Sequence, residues 1–587
     1  MQQETRACQN CKNQFTIEPE DFNFYEKIKV PPPTWCPECR LQRRFAYRNE
    51  RTLYKRKCGL CGKDMVSIFS LDKPFTVYCG DCWWSDKWDP MEHGREYDFS
   101  RPFFEQYREL LEDVPQLNLW GFNNVNSDFS NYVGESKNVY LSYSVTYCED
   151  IFYSSHIDKS RNCFDCYQVK NTERCYENVN AEKCYESHFL LNSRECVNSA
   201  FLFDCVNCQD CFMSSNLRNK QFYVRNKAYS HDDYMREMEK IWLSSYGSLE
   251  SLKEEFRSLR EASLHKFANA IKVLNTTGDD IVGVKNGTNV FFVQNSENVK
   301  NCWRVYDFKD SYDVTGAIES ELLYEVSVGA YHNYSSRFYS HGKTTRFITY
   351  CYFCSDVANL FGCSGLKSKQ YCIFNKQYSE KDYKALVERI TKQMDDVPYV
   401  SQIAKSKERI VYKFGEFFPT ALSPFAYNES VVQEYFPLTK EEVLAKRYSW
   451  RDPDPYPHKP TVMPENLPDD IKDVPDSIIN EVIGCPDCGR AYRIIKPELE
   501  FLRHEKIALP RKCPDCRYKD RFALRNPLKL WARRCGCHGK ASALGIYRNT
   551  TLHFHGEKAC PNEFETSYSP ERKEAVYCEA CYQSEIF

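Results

Sequence analysis

With 587 residues, 42% of them hydrophobic and 27% charged, the chain is too long for one core and has the make-up of a folded protein of several domains. A formal net charge of −3 excludes a general polycation, so any affinity for nucleic acid must come from local basic patches. No segment approaches the roughly 20 apolar residues of a bilayer span, and Met1 to Arg6 leads into Cys8 without an apolar signal core, so a cytoplasmic protein with no membrane partner is expected.

In that compartment the 31 cysteines are read as reduced thiols that bind metal or pack in a core. Cys8-x-x-Cys11 is followed by Cys36-x-x-Cys39, and Cys58-x-x-Cys61 by Cys79-x-x-Cys82. Two such knuckles supply four thiolates, which fill the tetrahedron that zinc prefers and leave no open position for water, so the sites are structural. Residues 1–97 are therefore read as tandem zinc ribbons 1 and 2. The segment 40–57 joining them carries Arg40, Arg43, Arg44, Arg48, Arg51, Lys55, Arg56 and Lys57 against the single acid Glu50, interleaved with Phe45, Tyr47 and Tyr54.

The middle is duplicated. Leu217 to Tyr234 (LRNKQFYVRNKAYSHDDY) recurs 149 residues later as Leu366 to Tyr383 (LKSKQYCIFNKQYSEKDY), and Cys205 meets Cys354 at the same offset. Within each copy runs a shorter period. Val139, Ile151, Cys163, Cys175, Cys184 and Cys196 each follow a polar residue, at steps of 12, 12, 12, 9 and 12. Short periodic strands must stack on their neighbours to bury a face, so a parallel β-solenoid with about two strands per coil is predicted, these six residues pointing inward. Core packing is the plainer account of the middle cysteines; a metal at Cys163-x-x-Cys166 or Cys205-x-x-Cys208-x-x-Cys211 is the sharper one. Ser230-x-x-Asp233 and Ser379-x-x-Asp382 predict a capping helix after each solenoid, the first long and running to about Ser263. The modules are placed at 98–265 and 266–400.

Residues 401–476 read as a helical and Pro-rich connector, with a capping box at Thr439-x-x-Glu442 and a Pro- and Asp-rich linker over 452–476. Residues 477–587 repeat the N-terminal pattern: Cys485, Cys488, Cys513 and Cys516 each lie 477 residues after Cys8, Cys11, Cys36 and Cys39. The register continues through Arg517, Arg521 and Arg525, the counterparts of Arg40, Arg44 and Arg48. The fourth ribbon departs from it. Cys535 matches Cys58, but His538 stands opposite Cys61, Cys537 sits beside it, and an insertion carries His553, His555 and Cys560 before Cys578-x-x-Cys581. Because Cys560 precedes Cys578 by 18 residues, as Cys61 precedes Cys79, the expected ligands are Cys535 or Cys537 with Cys560, Cys578 and Cys581, and His538 is the rival. About four zinc ions are expected.

Cys8-x-x-Cys11, Phe15, the run Glu20-Asp21-Phe22-Asn23-Phe24-Tyr25, Pro31-Pro32-Pro33 and Cys36-Pro37-Glu38-Cys39-Arg40 resemble the "probable zinc-ribbon" domain family. Gly415-Glu416-Phe417-Phe418-Pro419, Tyr435 to Glu442 and Tyr577-Cys578-Glu579-Ala580-Cys581-Tyr582 resemble a larger group of uncharacterised zinc-ribbon proteins, known mostly from genomes of very small uncultured bacteria. The resemblance implies zinc and carries no activity.

The fold class read from the chain is thus multidomain and mostly β: tandem zinc ribbons at both ends flanking two duplicated parallel β-solenoids with capping helices. For function, cations interleaved with aromatics suit phosphate and bases. This makes Arg40, Arg43, Arg44, Arg48, Arg517, Arg521 and Arg525 candidates for binding RNA, DNA or the ribosome. A zinc-stapled scaffold for a protein partner is the alternative. A carbohydrate-active solenoid enzyme is a third reading, for which no catalytic constellation stands out.

Overall fold

A computed structural model describes residues 2–329, 331–402, 409–446, 448–455 and 458–587, so the connector span 401–476 lies partly outside the described residues. The fold is the predicted one, with two β-solenoids in the middle and Cys-rich ribbons at both ends. The five segments do not pack in their linear order. The chain forms two compact units: one from Met1–Leu119, Ala268–Asp452 and Leu528–Leu530, the other from Trp120–Phe267, Pro453–Pro527 and Trp531–Phe587. The N-terminal ribbons thus belong with the second solenoid, and the C-terminal ribbons with the first.

In each solenoid the chain turns through a residue of positive φ at every third position. Tyr132, Glu135, Asn138, Leu141, Ser144 and Tyr147 all lie between 44° and 56°. Such a backbone costs most side chains energy, and the many Asn and Asp at these corners tolerate it best. Four corners complete a 12-residue coil, and successive coils pair in parallel, Val145 with Ile157 and Ile151 with Cys163. The residue after each corner points inward: Val133, Ser136, Val139, Ser142, Val145 and Cys148 are all at most 5% exposed. Most inward side chains are small or slim, with larger ones such as Leu190, Leu202 and Phe308 after some corners. Ser142 shows how the polar ones are satisfied: its hydroxyl donates to the Ile151 carbonyl at 3.4 Å and accepts the Ser154 amide at 2.9 Å. Cys163 and Cys175 do the same job more weakly, their thiols donating to the carbonyls of Thr172 and Cys184 at 3.8 and 3.7 Å. All six residues expected to point inward belong to this core. They form two lines, because the 9-residue step from Cys175 to Cys184 moves to another face of the coil.

The second solenoid has the same construction with two irregularities. Its first coil pairs at an 11-residue stride (Ala270 with Ile281), the next coils at 12, and Glu321–Val326 pairs with Tyr334–Tyr339 at a 13-residue stride (Leu323 with Ser336). This extra residue shifts the duplication offset from 148 before it to the 149 seen after it. The duplicated Leu217 and Leu366 motifs are solenoid ends. Gln221–Val224 turns back on Lys227–Ala228, and Gln370–Ile373 on Lys376–Gln377, each through two residues of positive φ. Helices follow, capped by Ser230 and Ser379 accepting the amides of Asp233 and Asp382. The first is two helices, His231–Met238 and Tyr246–Ala262, rather than one.

The Pro- and Asp-rich stretch after 452 is not a free linker. Short 3-10 turns at Pro464–Asn466, Ile471–Asp473 and Asp476–Asn480 bury Leu467, Ile471, Val474 and Ile478 against ribbon 3. Apolar residues spaced among the prolines are what convert it into packed structure, at roughly 1.5–3 kcal/mol for each fully buried large side chain.

Candidate metal centres and the ribbon clamp

Each ribbon opens with an antiparallel hairpin, for example Glu4–Ala7 with Gln14–Ile17 and Tyr54–Lys57 with Asp64–Ser67. Its first knuckle is a tight loop in which Lys12, Gly62 or Gly489 takes a positive φ and donates its amide to the carbonyl of Cys8, Cys58 or Cys485. The second knuckle starts a helix. Cys36, Cys79, Cys513 and Cys578 are the residues capping Pro37–Phe45, Gly80–Trp83, Pro514–Phe522 and Glu579–Ile586. Their amides point back at sulfur: Cys36, Cys79, Cys513 and Cys578 donate to the Sγ of Cys8, Cys58, Cys485 and Cys535 at 3.2–3.3 Å.

Four groups of sulfurs result: Cys8, Cys11, Cys36 and Cys39; Cys58, Cys61, Cys79 and Cys82; Cys485, Cys488, Cys513 and Cys516; and Cys535, Cys560, Cys578 and Cys581, each with all Sγ atoms within 4.8 Å of one another. Neighbouring sulfurs lie 3.7 Å apart for Cys11–Cys36, 3.6 Å for Cys488–Cys513, and 3.6 and 3.9 Å for Cys560 with Cys581 and Cys578. Those are the edges of a tetrahedron around one ion with metal–sulfur bonds of about 2.3 Å, and no disulfide is formed. The residues present therefore fit a four-thiolate metal ion. Although burial raises it, the amides of Cys61, Cys79 and Leu60 hold the Cys58 thiol down at about 6, and those of Cys513, Cys488 and Asp487 hold Cys485 at about 7. Hydrogen bonding with Cys535 brings Cys578 to about 4. In each of these three sites one thiol is thus favoured as the thiolate that binds metal, while burial pushes neighbours such as Cys79 and Cys513 up.

In the fourth ribbon, of the two alternatives weighed for the first ligand, Cys535 joins the four-sulfur group. Cys537 belongs to a second set with His553, His555 and Cys581. His538 lies in neither. Among the described residues the solenoid cysteines enter no such group.

The arginines selected for phosphate are placed elsewhere than expected. Arg40, Arg43, Arg44, Arg48, Arg517 and Arg521 are all buried. Arg40 and Arg44 meet the two oxygens of Asp313 at 2.9 and 3.1 Å; Arg43 and Arg44 meet Glu325 at 2.9 and 3.0 Å; and Arg43 also reaches Glu416 at 2.9 Å. Arg48 pairs with Glu50 at 2.6 Å. In the other unit Arg517 and Arg521 grip Asp165 at 2.8 and 2.7 Å, and Arg517 reaches Glu498 at 2.8 Å. Arg525, half-buried, lies 3.9 Å over the Phe522 ring. The phosphate-binding assignment of the six buried arginines is corrected accordingly, because guanidiniums enclosed with carboxylates reach no nucleic acid; Arg525 is not enclosed in this way.

The two arrangements are one device used twice. Asp165 and Asp313 are both fully buried solenoid corners with positive φ, 148 residues apart. The aromatic packing repeats as well: Phe24 stacks on Tyr312 at 3.9 Å, and its counterpart Phe501 on Phe164 at 4.3 Å. Burial pushes the Glu325 and Glu498 carboxyls up against the pull of their arginines, a sign of how dry these junctions are. The helices Pro37–Phe45 and Pro514–Phe522, each begun by two metal-site cysteines, therefore carry the arginines that grip a solenoid, and the metal site fixes the helix that carries the grip. No known family model matches the chain, and no curated protein matches it.

Proposed function

We propose that the protein is a non-enzymatic, zinc-stapled β-solenoid scaffold that presents its solenoid surfaces to a protein partner. The observation that carries this reading is the repeated clamp, in which Arg40 and Arg44 hold Asp313, and Arg517 and Arg521 hold Asp165. Six of the arginines suited to phosphate are instead buried in internal contacts. Zinc is the metal of choice because four sulfur ligands in a closed tetrahedron suit it and provide no reactive position. The kinship to zinc-ribbon proteins and the cytoplasmic location belong to the same reading, supported by 31 cysteines without a disulfide.

The test is elemental analysis of the full-length protein together with titration of single-stranded RNA at about 50 mM salt, where electrostatic binding is strong. At least four zinc ions per chain and no saturable RNA binding are expected. Tight, salt-sensitive binding lost on Lys55→Glu and Lys57→Glu, the exposed cations of the first connector, would restore the nucleic-acid reading in place of the scaffold.

A further inference from the structure

The insertion of the fourth ribbon gathers Cys537, His553 and His555 around Cys581, with one ligand atom of each within 4.8 Å of the others. Cys581 is also a member of the four-sulfur group of the same ribbon. We propose that ribbon 4 is a two-metal centre, in which the Cys581 thiolate bridges a four-thiolate zinc ion and a second divalent ion held by Cys537, His553 and His555. This rests on the reading of the four-cysteine groups as metal sites and extends it to a site of different composition.

Each ligand of the second ion is already oriented by a neighbour. The Nε2 of His553 lies 2.9 Å from the Glu585 carboxylate, both side chains wholly enclosed. That leaves Nδ1 as the coordinating atom, and His553 Nδ1 is buried with no hydrogen-bond partner. Such a nitrogen, in a residue only 3% exposed, carries a desolvation cost that a metal bond would remove. His555 is arranged the other way round. Its Nδ1 donates to the Lys558 carbonyl at 2.7 Å, and its Nε2 lies 3.4 Å from the Cys581 sulfur. Cys537 accepts the Asn549 side-chain amide at 3.2 Å, and Asn549 is itself fixed by the Gly539 carbonyl and the Tyr577 hydroxyl, each at 2.6 Å. A carboxylate or carbonyl behind each histidine and a donor to the thiolate are the outer-shell pattern of metal ligands.

The donor set also balances. Two divalent ions on five thiolates leave one net negative charge, where the four-thiolate ion alone leaves two. A set of two sulfurs and two imidazoles suits zinc, and the same ligands take cobalt(II), which makes the site visible.

The experiment uses the full-length protein, zinc counted by native mass spectrometry. Five ions are expected, falling to four in the His553→Ala, His555→Ala double variant and in Cys537→Ser. Because these variants could lose metal by local unfolding, the wild-type protein is also loaded with cobalt(II) and examined by electron paramagnetic resonance. Two ions sharing a thiolate couple magnetically, so the signal per cobalt is reduced. It recovers in the His553→Ala, His555→Ala variant if that variant keeps its four-thiolate ion. Four ions in the wild type, unchanged by the histidine substitutions and magnetically uncoupled, would overturn the second ion and leave the four-cysteine reading standing. Fewer than four would remove both.

Discussion

The same side chain serves opposite purposes in the ribbons and in the solenoids. Ribbon thiols converge in fours on the amides of a helix start, and Cys58 and Cys485 are held near 6 and 7. Solenoid thiols line the inner faces of the coils against backbone carbonyls, and among the described residues they enter no four-ligand group. Whether a cysteine is a ligand or a small hydrophobe is decided by how many sulfurs converge on one point and not by acidity alone: burial pushes the ribbon's Cys513 up to about 12, while hydrogen bonding with Cys166 and Cys175 lowers the solenoid's Cys163. The spacing reports the same distinction. Cys-x-x-Cys within a tight loop brings two sulfurs to one point, while Cys163-x-x-Cys166 steps between adjoining faces of a coil, because every third residue points inward.

The largest way to break the contrast is to remove the metal. A strong chelator is expected to unfold all four ribbons, since structural zinc supplies on the order of 10 kcal/mol or more per site in small domains. The solenoid core, whose cohesion is stacking and backbone ladders, should keep its amides protected. Hydrogen exchange followed by mass spectrometry reads both, and prompt exchange at Val145–Cys175 would contradict it.

Next in size is the clamp. Asp313→Ala and Asp165→Ala each leave two buried arginines without their shared carboxylate, at a cost of about 3–5 kcal/mol and with no change in metal content. Denaturant melts with elemental analysis measure this. A variant with full stability would mean that the buried pairs do not hold ribbon to solenoid.

How much of this was legible is best seen in these residues. The knuckles, the 477-residue register and the 12-residue period are local or periodic, and chain chemistry exposes them directly. The acceptors of the arginines are not. Asp313 lies 273 residues after Arg40 in the chain, and a basic helix that faces buried carboxylates reads like one that faces solvent. One signal was present: Arg40 and Arg44, four apart on one helical face, recur as Arg517 and Arg521, while Arg43 is replaced by Asp520. A charge kept for phosphate has no reason to favour one helical stripe; a charge that meets a fixed partner does. The three-residue period of the coil was likewise hidden, because serines and cysteines share the inward positions with valines and blur the hydrophobic pattern.

Smaller effects sharpen the comparison inside the coil. Cys163→Ser keeps size and a donor, and should cost at most about 1.5 kcal/mol, whereas Cys163→Leu overfills the coil and costs about 1–3 kcal/mol; thermal melts distinguish them. Finally, the depressed ribbon thiols set a pH window. Their contribution to holding a ribbon folded before metal binds is complete above the ordinary thiol value of about 9. It is lost as pH falls through about 7 for Cys485, 6 for Cys58 and 4 for Cys578. Zinc uptake should weaken stepwise over that range, while alkylation at neutral pH should label the metal-free ribbons and spare Cys148 and Cys302.

The most direct measurement of the division of labour is the metal count of two full-length variants compared with the wild type. Cys8→Ser should lose one ion, and Cys163→Ser with Cys166→Ser should lose none. A count that falls when the solenoid pair is substituted, in a protein that remains folded, would contradict the account.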